Sequence, residues 1–213
     1  MKTAKSLIIT AVALLTALLF TACSQPHPQA VDLGLPSGLK WASCNLGATQ
    51  PHEAGLYLAW GESEAKDHYF YDNYRYAAED SSQSTLDIGL EISGTEYDPA
   101  CTLWSDGWRI PSRMELQELL LFCKLEWKTV KRILGVQVTG PNGNKIFLPA
   151  AGKNGAPDPA EPQCAYWTGS LSLGLGRTAC SLNCSWDPET RESTLQIWGE
   201  YKVFGLTVRP VRD

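Results

Sequence analysis

Apolar and polar positions recur along this chain with two periods. In residues 107–123, GWRIPSRMELQELLLFC, Met114, Leu116, Leu119, Leu120 and Cys123 fall on a helical stripe. Ser112 and Glu115 form an S-x-x-E box ahead of it, and Pro111 holds Ile110 extended. The spacing predicts a helix of about three turns with one face buried, its Ser112 cap contributing about 1 kcal/mol. Elsewhere the period is two. Val136 and Val138, then Ile146 and Leu148, alternate with polar residues on either side of Pro-Asn-Gly-Asn, which predicts a β-hairpin. Cys180, Leu182, Cys184 and Trp186 alternate with Ser181, Asn183, Ser185 and Asp187, which predicts a half-buried strand. Residues 31–42 read as strand, Pro-Ser-Gly turn, strand, and further short strands are expected at 57–60, 166–170, 195–198 and 206–211. Residues 61–100 are irregular and rich in Tyr, Asp, Glu and Ser, and a loop runs through 153–163. Strands, one or two helices, then many strands predict an α+β fold rather than a βαβ one.

The N-terminus follows neither period. Lys2 and Lys5 precede an almost wholly apolar run over residues 7–20. As a helix it would reach about 21 Å, short of the ~30 Å hydrocarbon core, so it reads as a signal-peptide segment and not a span. It ends in Leu19-Phe20-Thr21-Ala22-Cys23, which resembles a bacterial lipobox. The resemblance implies lipid on the sulfur of Cys23, removal of residues 1–22, and an envelope lipoprotein held by acyl chains at ~0.8 kcal/mol per buried methylene. Residues 23–30 then form a polar tether and residues 31–213 a single domain. Ser24, where an Asp would imply inner-membrane retention, points to the outer membrane, with periplasmic and surface exposure both open.

Charge narrows the partners. The chain carries −5, and without Lys2 and Lys5 there are 16 basic against 23 acidic side chains. That balance argues against nucleic acid and against a polybasic membrane patch. After Cys23, six cysteines remain: Cys44, Cys101, Cys123, Cys164, Cys180 and Cys184. An exported chain allows disulfides, a core of this size also holds free thiols, and the 15 possible pairings are not distinguished by sequence. Cys180 and Cys184, four apart on a strand, would lie about 13 Å from each other. That is beyond the roughly 7 Å reach of a disulfide and beyond a shared zinc.

The segments VDLGLPSGLKWASCNLGA, AWGE, YDPACTLWSDGWRIPSRMELQELL, VTGPNGNKIFLPAAG, YWTGS and TVRPV resemble the Fibrobacter succinogenes major paralogous domain family, in order over residues 31–211. WRIPSRMELQEL with the terminal VRPV also resembles domains of the formylglycine-generating-enzyme type. The resemblance implies a C-type-lectin-like α+β fold, with twisted antiparallel sheets, one or two flanking helices and long loops. Two activities come with it. One is a copper-bound cysteine pair of an oxidase, for which Cys180 and Cys184 are the positional match, one residue too closely spaced. The other is calcium-dependent sugar binding, of which Glu161-Pro162-Gln163 and Trp186-Asp187 keep only fragments.

No HExxH, GxSxG, P-loop or EF-hand pattern occurs, and His27, His52 and His68 form no ligand pair. Glu62, Glu64, Asp67 and Asp72 cluster, as a solvated acidic loop would. In HYFYDNYRY, Tyr69, Tyr71, Tyr74 and Tyr76 sit among Asp72, Asn73 and Arg75. Such rings suit glycan or protein recognition, or pack under the loop as a satellite core with Trp60. Trp41, Trp108 and Trp167 are expected in the main core, and Arg109 and Arg209 as structural ion-pair residues, Arg109 with Glu115. The expectation is a lipid-anchored, non-catalytic binding or adhesion module without cofactor or metal. The alternatives are a thiol-dependent copper oxidase and a purely structural envelope component.

Overall fold

The computed structural model describes residues 28–79, 85–154, 162–173, 176–187 and 189–213. Cys23 and the apolar run over residues 7–20 lie outside them. Nine strands form three antiparallel sheets among the described residues: β1 (Ala30–Asp32), β2 (Lys40–Ala42) and β9 (Val211–Arg212) in the order β1-β2-β9; β3 (Lys124–Val130), β4 (Ile133–Thr139) and β5 (Lys145–Pro149); and β6 (Gln163–Leu171), β7 (Thr178–Trp186) and β8 (Ser193–Tyr201). The α-helices are a six-residue α1 (Pro99–Trp104) and a ten-residue α2 (Arg113–Phe122).

The expected α+β, C-type-lectin-like class is therefore corrected. The chain is mostly β, in three small sheets, with helix too scarce to form flanking layers. The 3.6-residue stripe was a sound local signal, but it describes one short helix, and the strands around it outnumber it. α2 keeps its capping box: Ser112 Oγ accepts the Glu115 N–H (3.3 Å) and Glu115 Oε2 accepts the Ser112 N–H (2.8 Å). Its buried face is narrower than the stripe implied. Leu116 and Leu119 are buried, whereas Met114 is 71% exposed. α1 starts at Pro99 because Asp98 accepts the N–H groups of Ala100 and Cys101. The same buried carboxylate also accepts from Gly94 and Ile110, so it joins the helix start to the strand-like entry of α2.

The hairpin at Pro-Asn-Gly-Asn is β4–β5, paired from Thr139↔Lys145 to Gly135↔Pro149. Residues 57–60 do not form a strand; Leu58 makes one isolated bridge to Leu206. The central sheet explains the core. On β6, Cys164 and Tyr166 enter a cluster with Leu116, Val138, Leu148, Leu182 and Cys184, while Ala165 and Trp167 enter a second with Trp60, Ile92, Ile110 and Leu206. Alternation thus places apolar groups on both faces of β6, with cores on each side. Trp41, Trp108 and Trp167 are buried as expected.

Arg109 makes the expected ion pair, its Nη1 and Nη2 donating to Glu115 Oε2 (2.8 Å) and Oε1 (2.6 Å). Arg209 does not make one. Fully buried, it donates to Asn45 Oδ1 (2.9 Å), Ala42 O (3.0 Å) and Phe147 O (2.6 Å), clamping the end of β2 to β5 through neutral oxygens. Among the described residues no helix is long and apolar enough to cross a membrane.

Candidate functional site

Residues 57–77 form a long loop closed by its own side chains. A turn from Ala59 to Glu62 starts it, the Glu62 N–H donating to Ala59 O (3.0 Å). Gly61 sits in this turn at φ 85°, where a Cβ would meet Ile88 Cδ1 at 2.6 Å. The turn directs Glu62 inward, leaving it 4% exposed. Its Oε1 accepts from Lys66 Nζ (2.8 Å) and from the Arg75 N–H (2.7 Å). Lys66 Nζ also lies 2.5 Å from Oε2, in ionic contact but outside hydrogen-bonding geometry, and donates to Asn73 O (2.5 Å). One buried carboxylate and one ammonium therefore join both ends of the loop and its middle. Oε1 meets two donors, whereas the buried Oε2 has no hydrogen-bond partner and is offset only by the ammonium charge beside it.

The tyrosines lie beneath this lattice. Tyr74 Oη donates to Trp60 O (2.8 Å), and Tyr69 Oη donates to Tyr57 O in a very short bond and accepts the Lys66 N–H (3.1 Å). Tyr69 and Tyr74 are buried with Ala59 and Val203, while Tyr71 and Tyr76 are half-buried against them. Tyr76 packs edge-on to Tyr74 and Tyr97. Burial pushes the phenols of Tyr69, Tyr71, Tyr74 and Tyr76 above their ordinary range. Of the expected ligand-binding set Tyr69, Tyr71, Tyr74 and Tyr76, Tyr69 and Tyr74 form a satellite core with no face left for a ligand, while Tyr71 and Tyr76 keep part of their surface exposed. The reason is geometric. Two inward rings per loop cover an apolar seam that Val203 and Phe204 present from the end of β8. The ring of the loop most open to solvent is Phe70, 60% exposed.

Above the lattice lies a cleft of about 190 Å³ lined by Glu62, Ser63, Glu64, Lys66, Asn73 and Arg75. Its walls carry two anions and two cations, with hydroxyl and amide groups between. Sequence reading placed Glu62 in a solvated acidic loop; the i,i+4 spacing to Lys66 was the signal that could have paired it. Glu64, Asp67 and Asp72 are exposed, as expected. A second cavity of about 230 Å³ is lined by Gly94, Cys101, Ser105, Asp106, Gly107, Trp108 and Arg109. Cys101 points its thiol at Trp108 O (3.3 Å), and burial together with the Asp98 charge pushes that thiol up to about 11.

Burial also disfavours the thiolate at three other cysteines. Burial raises Cys44 and Cys180, and burial with Glu118 pushes Cys123 up to about 11. Cys180 and Cys184 lie four apart on β7, Cys180 donating to Leu171 O (3.6 Å) and Cys184 standing opposite Cys164. They do not make the shared copper pair that the oxidase alternative requires. Among the described residues no three His, Cys, Asp or Glu side chains converge as metal ligands. Pro162 and Trp186 are neighbours, with the Trp186 N–H donating to Pro162 O (3.1 Å), but the Asp187 carboxylate is turned into its own loop, accepting from Glu189 and Thr190. Glu161 lies outside the described residues. No family model, curated protein or solved structure matches the chain.

Proposed function

We propose that the chain is a lipid-anchored envelope protein whose domain binds a glycan without transforming it. The supporting observation is the cleft of about 190 Å³, walled by carboxylate, ammonium, guanidinium, hydroxyl and amide groups. Hydroxyl-rich ligands are matched by such mixed donors and acceptors. The volume is below the about 300–1,000 Å³ typical of enclosed small-molecule sites, so the cleft takes one sugar-sized group of a longer ligand. Exposed Phe70 shares a turn with Asn73, one of the residues lining the cleft, and offers an apolar ring to solvent. The anchor rests on the lipobox-like Leu19–Cys23 stretch, and membership of the major paralogous domain family rests on the motifs quoted above.

The test uses the detergent-solubilised full chain on an array of envelope and host glycans, with titration calorimetry on the hits. The expected result is glycan binding that weakens at least tenfold in Arg75→Ala and Glu64→Ala, both exposed side chains whose loss leaves the fold intact. A chain that binds no glycan but captures a defined protein through the same cleft would replace this reading, and one that hydrolyses the bound glycan would overturn it. For the anchor, radiolabelled palmitate should enter the wild type and not Cys23→Ser.

A further inference from the structure

We propose that Cys164 and Cys184 are a cross-strand redox pair that closes to a disulfide when the chain folds in an oxidising compartment. The register carries the inference. β6 and β7 run antiparallel, and Cys164 is the direct partner of Cys184, between the pairs Gln163↔Ser185 and Ala165↔Asn183. The Trp186 N–H donates to Pro162 O two positions along the same ladder, so Cys164 and Cys184 form a hydrogen-bonded pair. Directly opposed residues of that kind have Cα atoms about 5.5 Å apart and side chains on one face. Disulfides span Cα separations of about 4.4–6.8 Å, so the pair is within reach, and a local twist of the two strands must bring the Cβ atoms from about 5.5 Å to about 3.5–4.5 Å.

The surroundings favour this pair over the other fourteen pairings. Both side chains are fully buried in the same apolar cluster. Cys44 donates to Ala48 O, Cys101 to Trp108 O and Cys180 to Leu171 O, and Cys123, at the end of α2, packs against the cluster without standing opposite either cysteine; Cys164 donates to Leu148 O (3.4 Å) but alone faces Cys184 across the ladder. Cys164 and Cys184 also interact directly with each other, and the fully buried Arg209 is the cation near Cys164. In the folded chain burial holds the Cys164 thiol protonated. The bridge must therefore form while β6 and β7 are pairing and still open to an oxidant, after which the core seals it.

The chemistry balances with a dithiol–disulfide exchange. One cysteine thiolate attacks the disulfide of an oxidant, a small-molecule or protein disulfide R–S–S–R, and releases one R–SH. The second thiolate attacks the resulting mixed disulfide at the protein sulfur and releases the other. Two thiols and one external disulfide become one Cys164–Cys184 disulfide and two external thiols. The occurrence of this bridge in the cell rests on the exported location proposed above; its ability to form does not.

The full chain, unfolded and reduced, is refolded in a buffer of reduced and oxidised glutathione. It is then denatured, alkylated with N-ethylmaleimide and mapped by mass spectrometry. The expected product is 2 Da lighter than the reduced chain before alkylation, with Cys164 and Cys184 linked, Cys44, Cys101, Cys123 and Cys180 alkylated, and Cys23 alkylated unless it carries lipid. Its Tm should exceed that of the reduced chain by roughly 6–12 °C, from closing a loop of about 20 residues. In Cys164→Ala/Cys184→Ala that redox-dependent difference should vanish. If this variant does not fold, the oxidised and reduced wild-type comparison decides alone. Full alkylation of both cysteines after oxidative refolding, or linkage of either to another cysteine, would overturn the proposal. A pair that bridges in the refolding buffer yet is trapped as thiols in living cells would uphold the pair and remove the export reading instead.

Discussion

The β6–β7–β8 sheet and the loop over residues 57–77 are both rich in large rings, yet different forces hold them. In the sheet, backbone ladders carry the polar groups and side chains are free to be apolar. Trp167 can therefore lie fully buried with its Nε1 donating to Leu58 O (2.8 Å). In the loop there is no ladder, so side chains must satisfy the backbone. Glu62 takes the Arg75 N–H, Lys66 gives to Asn73 O, Tyr74 gives to Trp60 O, and Asn73 Nδ2 gives to His68 O. The sheet is stabilised by volume, the loop by a few polar contacts. A polar lattice of that kind leaves charged groups at the surface, where the cleft is.

That contrast is broken or sharpened by two substitutions. The largest effect is expected from Trp167→Ala, which removes one of the two buried tryptophans of the second cluster and one of two donors to Leu58 O, the Leu206 N–H being the other. Equilibrium denaturation should show a loss of about 3–5 kcal/mol across the whole domain. A loss below 1 kcal/mol would mean that the sheet is not held by its packing. Glu62→Gln should be milder and local. It keeps an acceptor but removes the charge that holds Lys66, a loss of about 1.5–3 kcal/mol in the opening energy of the loop. Trypsin should then cut after Lys66 or Arg75 faster than in the wild type, at unchanged rates elsewhere. Equal acceleration at all sites would show the loop and sheet to be one cooperative unit.

The two regions were also unequally legible. The capping box of α2, the β4–β5 turn and the alternation of β7 are local patterns, and they survive in the structure. β3 carries a short period of two, Leu125 and Trp127 alternating with Lys124, Glu126 and Lys128, but only two apolar positions show it and it follows α2 with a single residue between; it pairs along β4 from Lys124↔Thr139 to Val130↔Ile133. The overall class was misjudged because a clear ten-residue helix weighed more in sequence than strands that show themselves only by pairing. In the loop, the burial of Glu62, Tyr69 and Tyr74 depends on what β8 and its following residues, Val203 and Phe204, place beneath it, over a hundred positions away. No period within HYFYDNYRY encodes that. The partner of Cys184 likewise became visible only with the register of β6.

The smallest effect probes the seam between the two regions. Lys202 follows β8 and is 2% exposed, its Nζ 4.8 Å from the centre of the Trp60 ring and 3.3 Å from Thr85 Oγ1. Burial pushes its ammonium down to about 8, against a weaker upward pull from Asp87. An unfolded lysine titrates near 10.4. Between these values the unfolded chain keeps a proton that the folded chain has released. Stability should therefore rise with pH from about 8 upward, and the desolvation penalty is present in full below it. Burial raises the neighbouring phenols of Tyr69, Tyr71 and Tyr74, so they do not titrate in this window. Comparing wild type with Lys202→Met between pH 7 and 8.5 isolates the group. The wild type should gain on the variant by less than about 1 kcal/mol, or on the order of 2–4 °C in Tm at most. A flat difference across that range would mean that the ammonium stays hydrated and that water enters the seam, which would join the loop to the sheet more loosely than their packing implies.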